Sequence, residues 1–317
     1  MTTTTPIKRT YTNAFESMRL LGEALRPEGL SWLTELKGAQ AQADIVLHIS
    51  CNAHYTLFIP YIAQEILKKI DKSFVVFGGP ESCCGSIQFN MGDPDLEEMN
   101  ARLALMMFNR VKPQLLVSVC PDCDEVFDKF RPAPVRFDIT NISDLFVKYL
   151  DELRPLLKPV NKRVVIHHHA SGPQRIEDAQ NMRTLLQAIP GIEIVDAQHA
   201  LGPGIHCQTV KPMPEADQKA MVEEAVLLDV DSLVVPYHSC YRQHIAMELT
   251  HTVKVEHYLG LLAQSLGIAY DEPYKRLRLT DDVDVVMNAL RPAVEKLGFD
   301  METVTPWIRR VIFLGKK

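Results

Sequence analysis

Apolar positions along the chain follow two alternating rhythms. Short runs rich in aliphatic and β-branched residues, DIVLHI at 44–49, FVVF at 74–77, LLVSV at 115–119 and VRFDI at 135–139, read as buried strands. Between them, residues 55–70 and 94–111 show apolar spacing near 3.6 and read as helices, with Pro60 a candidate kink and Pro94 suited to a first turn. A helix over 14–25 precedes the first strand, and one over 141–157, capped by Asn141, follows the fourth. The second half repeats the plan. Strands are predicted at 163–169 (RVVIHHH), 192–195 (IEIV), 232–236 (SLVVP) and 253–257 (VKVEH), with helices at 174–188, 214–228 and up to Leu266. Residues 270–317 read as mostly helical. Strands alternating with helices predict an α/β fold with parallel sheets, whose ligands sit beyond the carboxyl ends of the strands.

The halves align. LLVSVCPDC at 115–123 matches SLVVPYHSC at 232–240 with an offset of 117, Cys84 matches Cys207 with 123, and Cys51 matches Ala170 with 119. Near-equal offsets predict a duplication. The expected division is a polar tail and helix over 1–43, a first domain over 44–158, a second over 159–268 and a helical extension over 269–317. In the second copy, Ala170 stands where the first has Cys51, His206 where it has Cys83, and Tyr237 where it has Cys120.

Composition narrows the classes of function. Hydrophobic residues make up 46% and charged residues 23%, which excludes a mostly disordered chain. A net charge of −6 makes a dedicated nucleic-acid binder a poor reading, because phosphate contacts need clustered cations. No apolar run approaches the roughly 18 residues that span a bilayer, and MTTTTPIKRTYTN lacks the apolar stretch of a secretory signal. A cytoplasmic protein with a polar, frayed start is expected. Gly78-Gly79-Pro80 follows a strand but fits neither dinucleotide nor phosphate-loop spacing, and reads as a turn.

The cysteines change the picture most. There are seven, an odd number, and five lie within residues 51–123, which points to metal or redox work rather than a disulfide scaffold. Cys51 follows the first strand, Cys83-Cys84-Gly85 follow the second, and Cys120-Pro121-Asp122-Cys123 end the third. Cys-x-x-Cys alone fits zinc, a redox dithiol or iron–sulfur ligation. Adjacent thiols at 83 and 84 cannot easily bind one ion in relaxed tetrahedral geometry, but they can reach two metals of an extended cluster. Five thiolates are also one more than a structural zinc or an ordinary cubane needs. A four-cysteine zinc site with one spare thiol and a set of reduced structural thiols remain the alternatives. Gly85 is expected to let the backbone turn beside inorganic sulfide.

This spacing, C-x31-CC-x35-C-P-x-C with Gly85 directly after the pair, resembles the CCG (cysteine-rich domain) family represented by the B-type subunit of heterodisulfide reductase. The resemblance covers roughly residues 44–260, with its specific motif in the first half. It implies a noncubane [4Fe-4S] cluster on Cys51, Cys83, Cys84, Cys120 and Cys123, and redox chemistry on a disulfide, thiol or sulfur-carrier substrate. Because the second motif is degenerate, the resemblance points to a specialised relative of the sulfur-oxidation type. No ferredoxin spacing is present, so a ferredoxin-like iron–sulfur partner of the heterodisulfide reductase C type and a flavoprotein subunit are expected. An electron-relay subunit that never meets substrate, and a zinc-stabilised binding module, are the other readings.

Nine of eleven histidines lie after residue 166. His206, Cys207, His238 and Cys240, with His168 and His169, form a candidate second site. It is read as binding zinc or iron, as holding a thiol or persulfide substrate, or as the polar remnant of a lost cluster site. Arg242 is a candidate partner for a substrate carboxylate or sulfonate. His244 and His251 read as solvated or helix-terminal residues, and Asp122 and Asp124 as surface residues.

Overall fold

The computed structural model describes residues 6–25, 42–79, 82–132, 134–204, 207 and 213–315. Strands β1 (Ile45–His48), β2 (Phe74–Phe77), β3 (Leu115–Ser118) and β4 (Asp138–Asn141) form a parallel sheet ordered β2-β1-β3-β4. Strands β5 (Lys162–Ile166), β7 (Ile192–Ile194), β9 (Ser232–Val235) and β10 (Lys254–His257) form a second, ordered β7-β5-β9-β10. The two orders are the same. The registers are also the same: Ile45 pairs with Leu115 as Val164 pairs with Ser232, and Leu115 pairs with Asp138 as Ser232 pairs with Lys254. The offsets read from the sequence are thus written into the ladders. A short extra pair, β6 (His168–His169) with β8 (Leu201–Gly202), extends beyond β5.

In the first unit, α2 (Phe58–Lys69) follows β1, α3 (Ser86–Asn90) and α4 (Pro94–Asn109) follow β2, and α5 (Pro121–Lys129) follows β3. After β4 come α6 (Ile142–Lys148) and α7 (Leu150–Leu153). The second unit adds α8 (Pro173–Ala188), α9 (Glu215–Leu227), α10 (His238–His244) and α11 (Tyr258–Leu266). Strand alternation decides what packs where. Val46 and Leu116 face Ala104, Leu105, Phe108 and Phe127 of α4 and α5. Ile45, Leu47 and Ile49 face the opposite way, into a core shared with α2, α6 and the whole second unit.

That core also takes in Leu20, Leu21 and Leu25 of α1 (Pro6–Leu25), with residues of α13 (Val283–Lys296) and α14 (Met301–Ile312); α12 (Pro273–Leu279) precedes them. The N-terminal helix and the C-terminal extension, at opposite ends of the sequence, therefore lie side by side. Among the described residues no helix is long and apolar enough to cross a membrane.

Four local expectations are corrected. The first helix starts at Pro6, not at residue 14, so the described part of the supposed tail is helical from there. Pro60 does not kink α2, because it lies in the first turn, where no backbone N–H is needed for the helix ladder. The fourth strand is 138–141 rather than 135–139; Val135 and Phe137 are buried, but the ladder begins only where Asp138 meets Leu115. The helix expected over 141–157 is broken into α6, α7 and a 3-10 turn at Arg154–Leu156, while Asn141 does cap it by accepting from Ser143 N–H at 3.2 Å.

Candidate metal centres

In both sheets the strand order reverses between the two central strands, β1 and β3 or β5 and β9, and the crevice past their carboxyl ends is where α/β folds bind ligands. Cys51 opens a 3-10 turn three residues past β1. Cys120 is the N-cap of α5, and Pro121 at the first helical position is followed by Cys123 in the first turn. The Ser118 hydroxyl donates to Cys120 O at 2.8 Å and accepts from Cys120 N–H at 3.2 Å, fixing that corner. Cys83 and Cys84 sit in the loop before α3, and Gly85 N–H donates to Cys83 Sγ at 3.4 Å. Gly85 has φ +96°, and a Cβ there would lie 2.6 Å from Glu97 Cα. The glycine is needed because the loop is pressed against α4, which is the physical reason for a role the sequence assigned to sulfide.

The five thiols make contact in series: Cys51 with Cys83, Cys83 with Cys84, Cys84 with Cys123, and Cys123 with Cys120. All but Cys120 are buried. Thiol hydrogen bonds from Cys51 and Cys84 hold Cys83 well below the usual thiol range, against the effect of burial, with the Gly85 N–H assisting. Cys51 is pushed well above it by its hydrogen bond to Cys83 and by burial. Cys123 is likewise pushed well above it by its hydrogen bonds to Cys120 and Cys84 and by burial. A single ion needs donors that close on one point. Among the described residues, three or more ligand atoms mutually within 4.8 Å occur only in the second unit. The first-unit sulfurs touch one another in a row, with Cys51 also within electrostatic reach of Cys84 and Cys120, and do not close on one point; such a donor set fits a group of several metal ions, each taking some of the thiolates.

Behind the row, His48 ends β1 fully buried against Phe108 and Phe127, with Nε2 2.8 Å from Ser82 O. Burial lowers its pKa to about 4, so the ring is neutral.

The second unit has a compact centre at the equivalent place. His167 and His169 are both buried and face the same side, as strand alternation requires. Their Nε2 atoms are 3.1 Å apart. His167 Nε2 lies 3.2 Å from Cys207 Sγ, and His169 Nε2 lies 3.3 Å from Cys240 Sγ and 3.5 Å from Cys207 Sγ. Cys240 occupies the third position of α10, as Cys123 does in α5, with Tyr237 at the N-cap in place of Cys120. Burial opposes ionisation of Cys240, but hydrogen bonds from Cys207, His167 and His169 hold its thiol well below the usual range. His244 Nε2 approaches Cys207 Sγ at 3.3 Å.

Several site assignments made from the sequence are thus revised. Of the candidate second site, Cys207, Cys240 and His169 come together, and His167 joins them. His168 points to the other side of its strand and is half-buried; His238 is buried but outside the group; His206 lies outside the described residues. His244 is a buried neighbour of Cys207, not a solvated residue. Arg242 is 8% exposed; its guanidinium stacks 4.0 Å over Tyr55, and it donates to Tyr274 Oη and to Val311 O, each at 3.3 Å. Its donors serve α12 and α14 rather than a substrate.

Asp122 and Asp124 are not free surface charges either. Arg175 of α8, 3% exposed, reaches across to pair with Asp122 and, at 2.7 Å, with Glu125 of α5. Asn141 Nδ2 donates to buried Asp124 at 3.0 Å. Asp178 of α8 accepts from the Ser143 hydroxyl at 2.8 Å and the Tyr237 hydroxyl at 2.9 Å. Burial raises the pKa of Asp178 to about 6 and that of Asp124 well above the carboxylate range. This network ties the helix bearing Cys120 and Cys123 to the second unit.

Comparison with known proteins supplies relatives. Residues 45–128 match the family described as a cysteine-rich domain, CCG. The B subunit of a fumarate reductase (CoM/CoB) from Methanothermobacter marburgensis is 28% identical over 244 residues, 72% of this chain and 47% of that protein. An uncharacterized iron-sulfur protein from Methanocaldococcus jannaschii is 29% identical over 142 residues, 44% of this chain and 28% of that one. The chain thus spans about half the length of the first relative and less of the second. A solved structure assigned as an Asp/Glu racemase from Yersinia pestis is 12% identical over 70% of this chain and 97% of its own, with a TM-score of 0.34, too loose a likeness to bear on fold or function. The matched segment contains Cys51, Cys83, Cys84, Cys120 and Cys123 and the first three strands of the first sheet, so the likeness to the CCG cysteine-rich domain takes in the whole five-cysteine row.

Proposed function

We propose that this chain is an iron–sulfur subunit of a heterodisulfide-reductase-like oxidoreductase, with a noncubane [4Fe-4S] cluster held by Cys51, Cys83, Cys84, Cys120 and Cys123. The observation that carries this reading is the row of five thiols at the switch point of the first sheet, with one more donor than a single ion can use. The relatives agree in kind, one named as a reductase subunit and the other as an iron–sulfur protein. When bound, the cluster supplies one-electron redox chemistry at iron. The chain's own residues set the rest. Cys120, the half-buried member of the row, marks the side from which a sulfur substrate approaches. Buried Phe108 and Phe127 keep water from the rear, and neutral His48 anchors the Cys83 loop through Ser82 O.

Reductive cleavage of a disulfide consumes two electrons and two protons and yields two thiols. One cluster site therefore needs a relay, and we assign that to a ferredoxin-like subunit and a flavoprotein subunit. Seven unpaired thiols suit a reducing compartment, the cytoplasm. A second reading, electron relay without substrate contact, is favoured by the burial of four of the five thiols.

The test is anaerobic purification with iron and acid-labile sulfide measured per chain. About four of each are expected, falling to near zero in Cys84→Ala. Full iron and sulfide in Cys84→Ala would reject the five-ligand assignment. Addition of a small thiol or disulfide separates the two readings: a changed paramagnetic spectrum of the cluster supports substrate contact, and an unchanged one supports the relay.

A further inference from the structure

We propose that His167, His169, Cys207 and Cys240 are the four ligands of a closed, tetrahedral zinc site in the second unit. The geometry points to it directly. With Zn–N near 2.0–2.1 Å and Zn–S near 2.3 Å, the edges of a tetrahedron are about 3.4 Å between two nitrogens and about 3.6 Å between nitrogen and sulfur. The corresponding separations here are 3.1 Å for the nitrogen pair and 3.2, 3.3 and 3.5 Å for nitrogen–sulfur contacts. Four donors already stand at the corners of a shell the size of one zinc ion.

Independent features support a metal over a hydrogen-bonded cluster. His167 Nδ1 lies 2.9 Å from Ala200 O. A carbonyl can only accept, so the proton is on Nδ1 and the Nε2 lone pair faces the centre, the outer-shell pattern of metal-bound histidine. Gly202 completes the cradle: a Cβ there would lie 2.8 Å from His169 Cε1 and 2.9 Å from His167 Cε1. The backbone of β8 is bare where both rings must pass.

Donor type selects the ion. Two imidazoles and two thiolates in a tetrahedron suit zinc, and four protein ligands in a buried site leave no open position. The site is therefore structural, and substrate chemistry stays with the first unit. His244 donates toward Cys207 Sγ and disperses thiolate charge. A cleft of about 360 Å³ between α9 and α10 reaches His244, the neighbour of Cys207.

The experiment uses the full chain, purified without oxygen, with zinc, iron and sulfide measured together. One zinc per chain is expected, retained in Cys84→Ala and lost in Cys240→Ser and in His169→Gln. Zinc-edge X-ray absorption of the wild type should show two sulfurs at about 2.3 Å and two nitrogens at about 2.0–2.1 Å. Gly202→Ala, which keeps every ligand, should lose zinc to a chelator at least tenfold faster. If a ligand variant fails to fold, cobalt substitution in the Cys84→Ala background reports instead, through the visible bands of tetrahedral, thiolate-bound cobalt. The proposal is overturned if the chain neither carries nor takes up zinc, if both ligand variants keep it, or if iron or a disulfide occupies the site. Failure of the cluster reading would appear in iron and sulfide and leave the zinc count unchanged.

Discussion

Asp178 gives the network between the two units a pH dependence whose sign and size follow from the structure. It is 3% exposed, accepts from Ser143 and Tyr237, and lies beside Arg175, yet burial outweighs these and lifts its pKa from 3.8 to about 6. Below pH 4 both folded and unfolded chains hold the proton. Between pH 4 and 6 the folded chain keeps a proton that the unfolded chain has released, so stability falls as pH rises through this window and levels off above it. The displacement corresponds to about 3 kcal/mol, undiminished by solvent because the group is buried. Asp178→Asn removes the titration while keeping the shape and one acceptor. Relative to the wild type, the variant should gain about 3 kcal/mol between pH 4 and 7, or about 6 °C in midpoint at roughly 2 °C per kcal/mol. The assay is thermal unfolding of both proteins under anaerobic conditions at half-unit pH steps, read as the difference between midpoints. Parallel profiles across pH 4–7, or a difference that grows in the opposite direction, would refute the reasoning.

Gly85→Ala places a Cβ at 2.6 Å from Glu97 Cα in a left-handed backbone, so a loss of about 1–3 kcal/mol from the φ alone is expected; thermal midpoint and iron per chain should fall together. Arg175→Gln breaks the bridge from α8 to α5. Asp122 and Glu125 are 30% and 51% exposed, so screening limits the loss to about 1–2 kcal/mol, seen as a lower midpoint with iron content unchanged. Arg242→Met removes the guanidinium from Tyr55, Tyr274 and Val311, and a drop of about 2–3 kcal/mol is expected, with no rescue by Arg242→Lys and no effect on KM. A raised KM at unchanged stability would restore the substrate role.

Strands β1, β2, β3 and β9 were legible because each is a short apolar run ended by a turn or a helix cap, and β1 and β9 are buried on both faces as well. The fourth strand slipped by three residues because Val135 and Phe137 are buried without being paired. Pairing depends on where β3 begins, and no local period encodes that. The start of α1 was hidden for a related reason: Pro6 through Asn13 carry little apolar period, although the helix runs through them.

The five-cysteine row was legible from topology, since each motif follows a strand and parallel strands bring their ends to one edge. The second centre was only half legible. Alternation along 167–169 pairs His167 with His169, and taking His168 with His169 as candidate donors ignored it. Arg242 follows the helical counterpart of that rule. It lies two residues past Cys240, and positions i and i+2 do not share a helix face, so its side chain goes to the C-terminal helices while Cys240 goes to the centre. The role of Arg175 is non-local, and its sequence neighbours carry no sign of it.

The two centres share one device and use it differently. His48 and His167 occupy equivalent strand ends, offset by 119 like Cys51 and Ala170, and each ring holds the loop leading to a cysteine by bonding a backbone oxygen. In the first unit the bond runs from Nε2 to Ser82 O, which turns the other nitrogen into the core and makes His48 a packing residue. In the second, Nδ1 takes the carbonyl of Ala200, and Nε2 is delivered to Cys207. Reversing which nitrogen reaches the loop converts a packing residue into a donor at a point, and Gly202 gives the second ring room to join it. A duplicated fold that lost the thiols at 170 and 237 could thus hold a compact four-donor shell where the first unit holds an open row. The same scaffold presents an extended row and a compact shell because strand ends fix where donors gather, and side-chain reach decides how closely they close on one point.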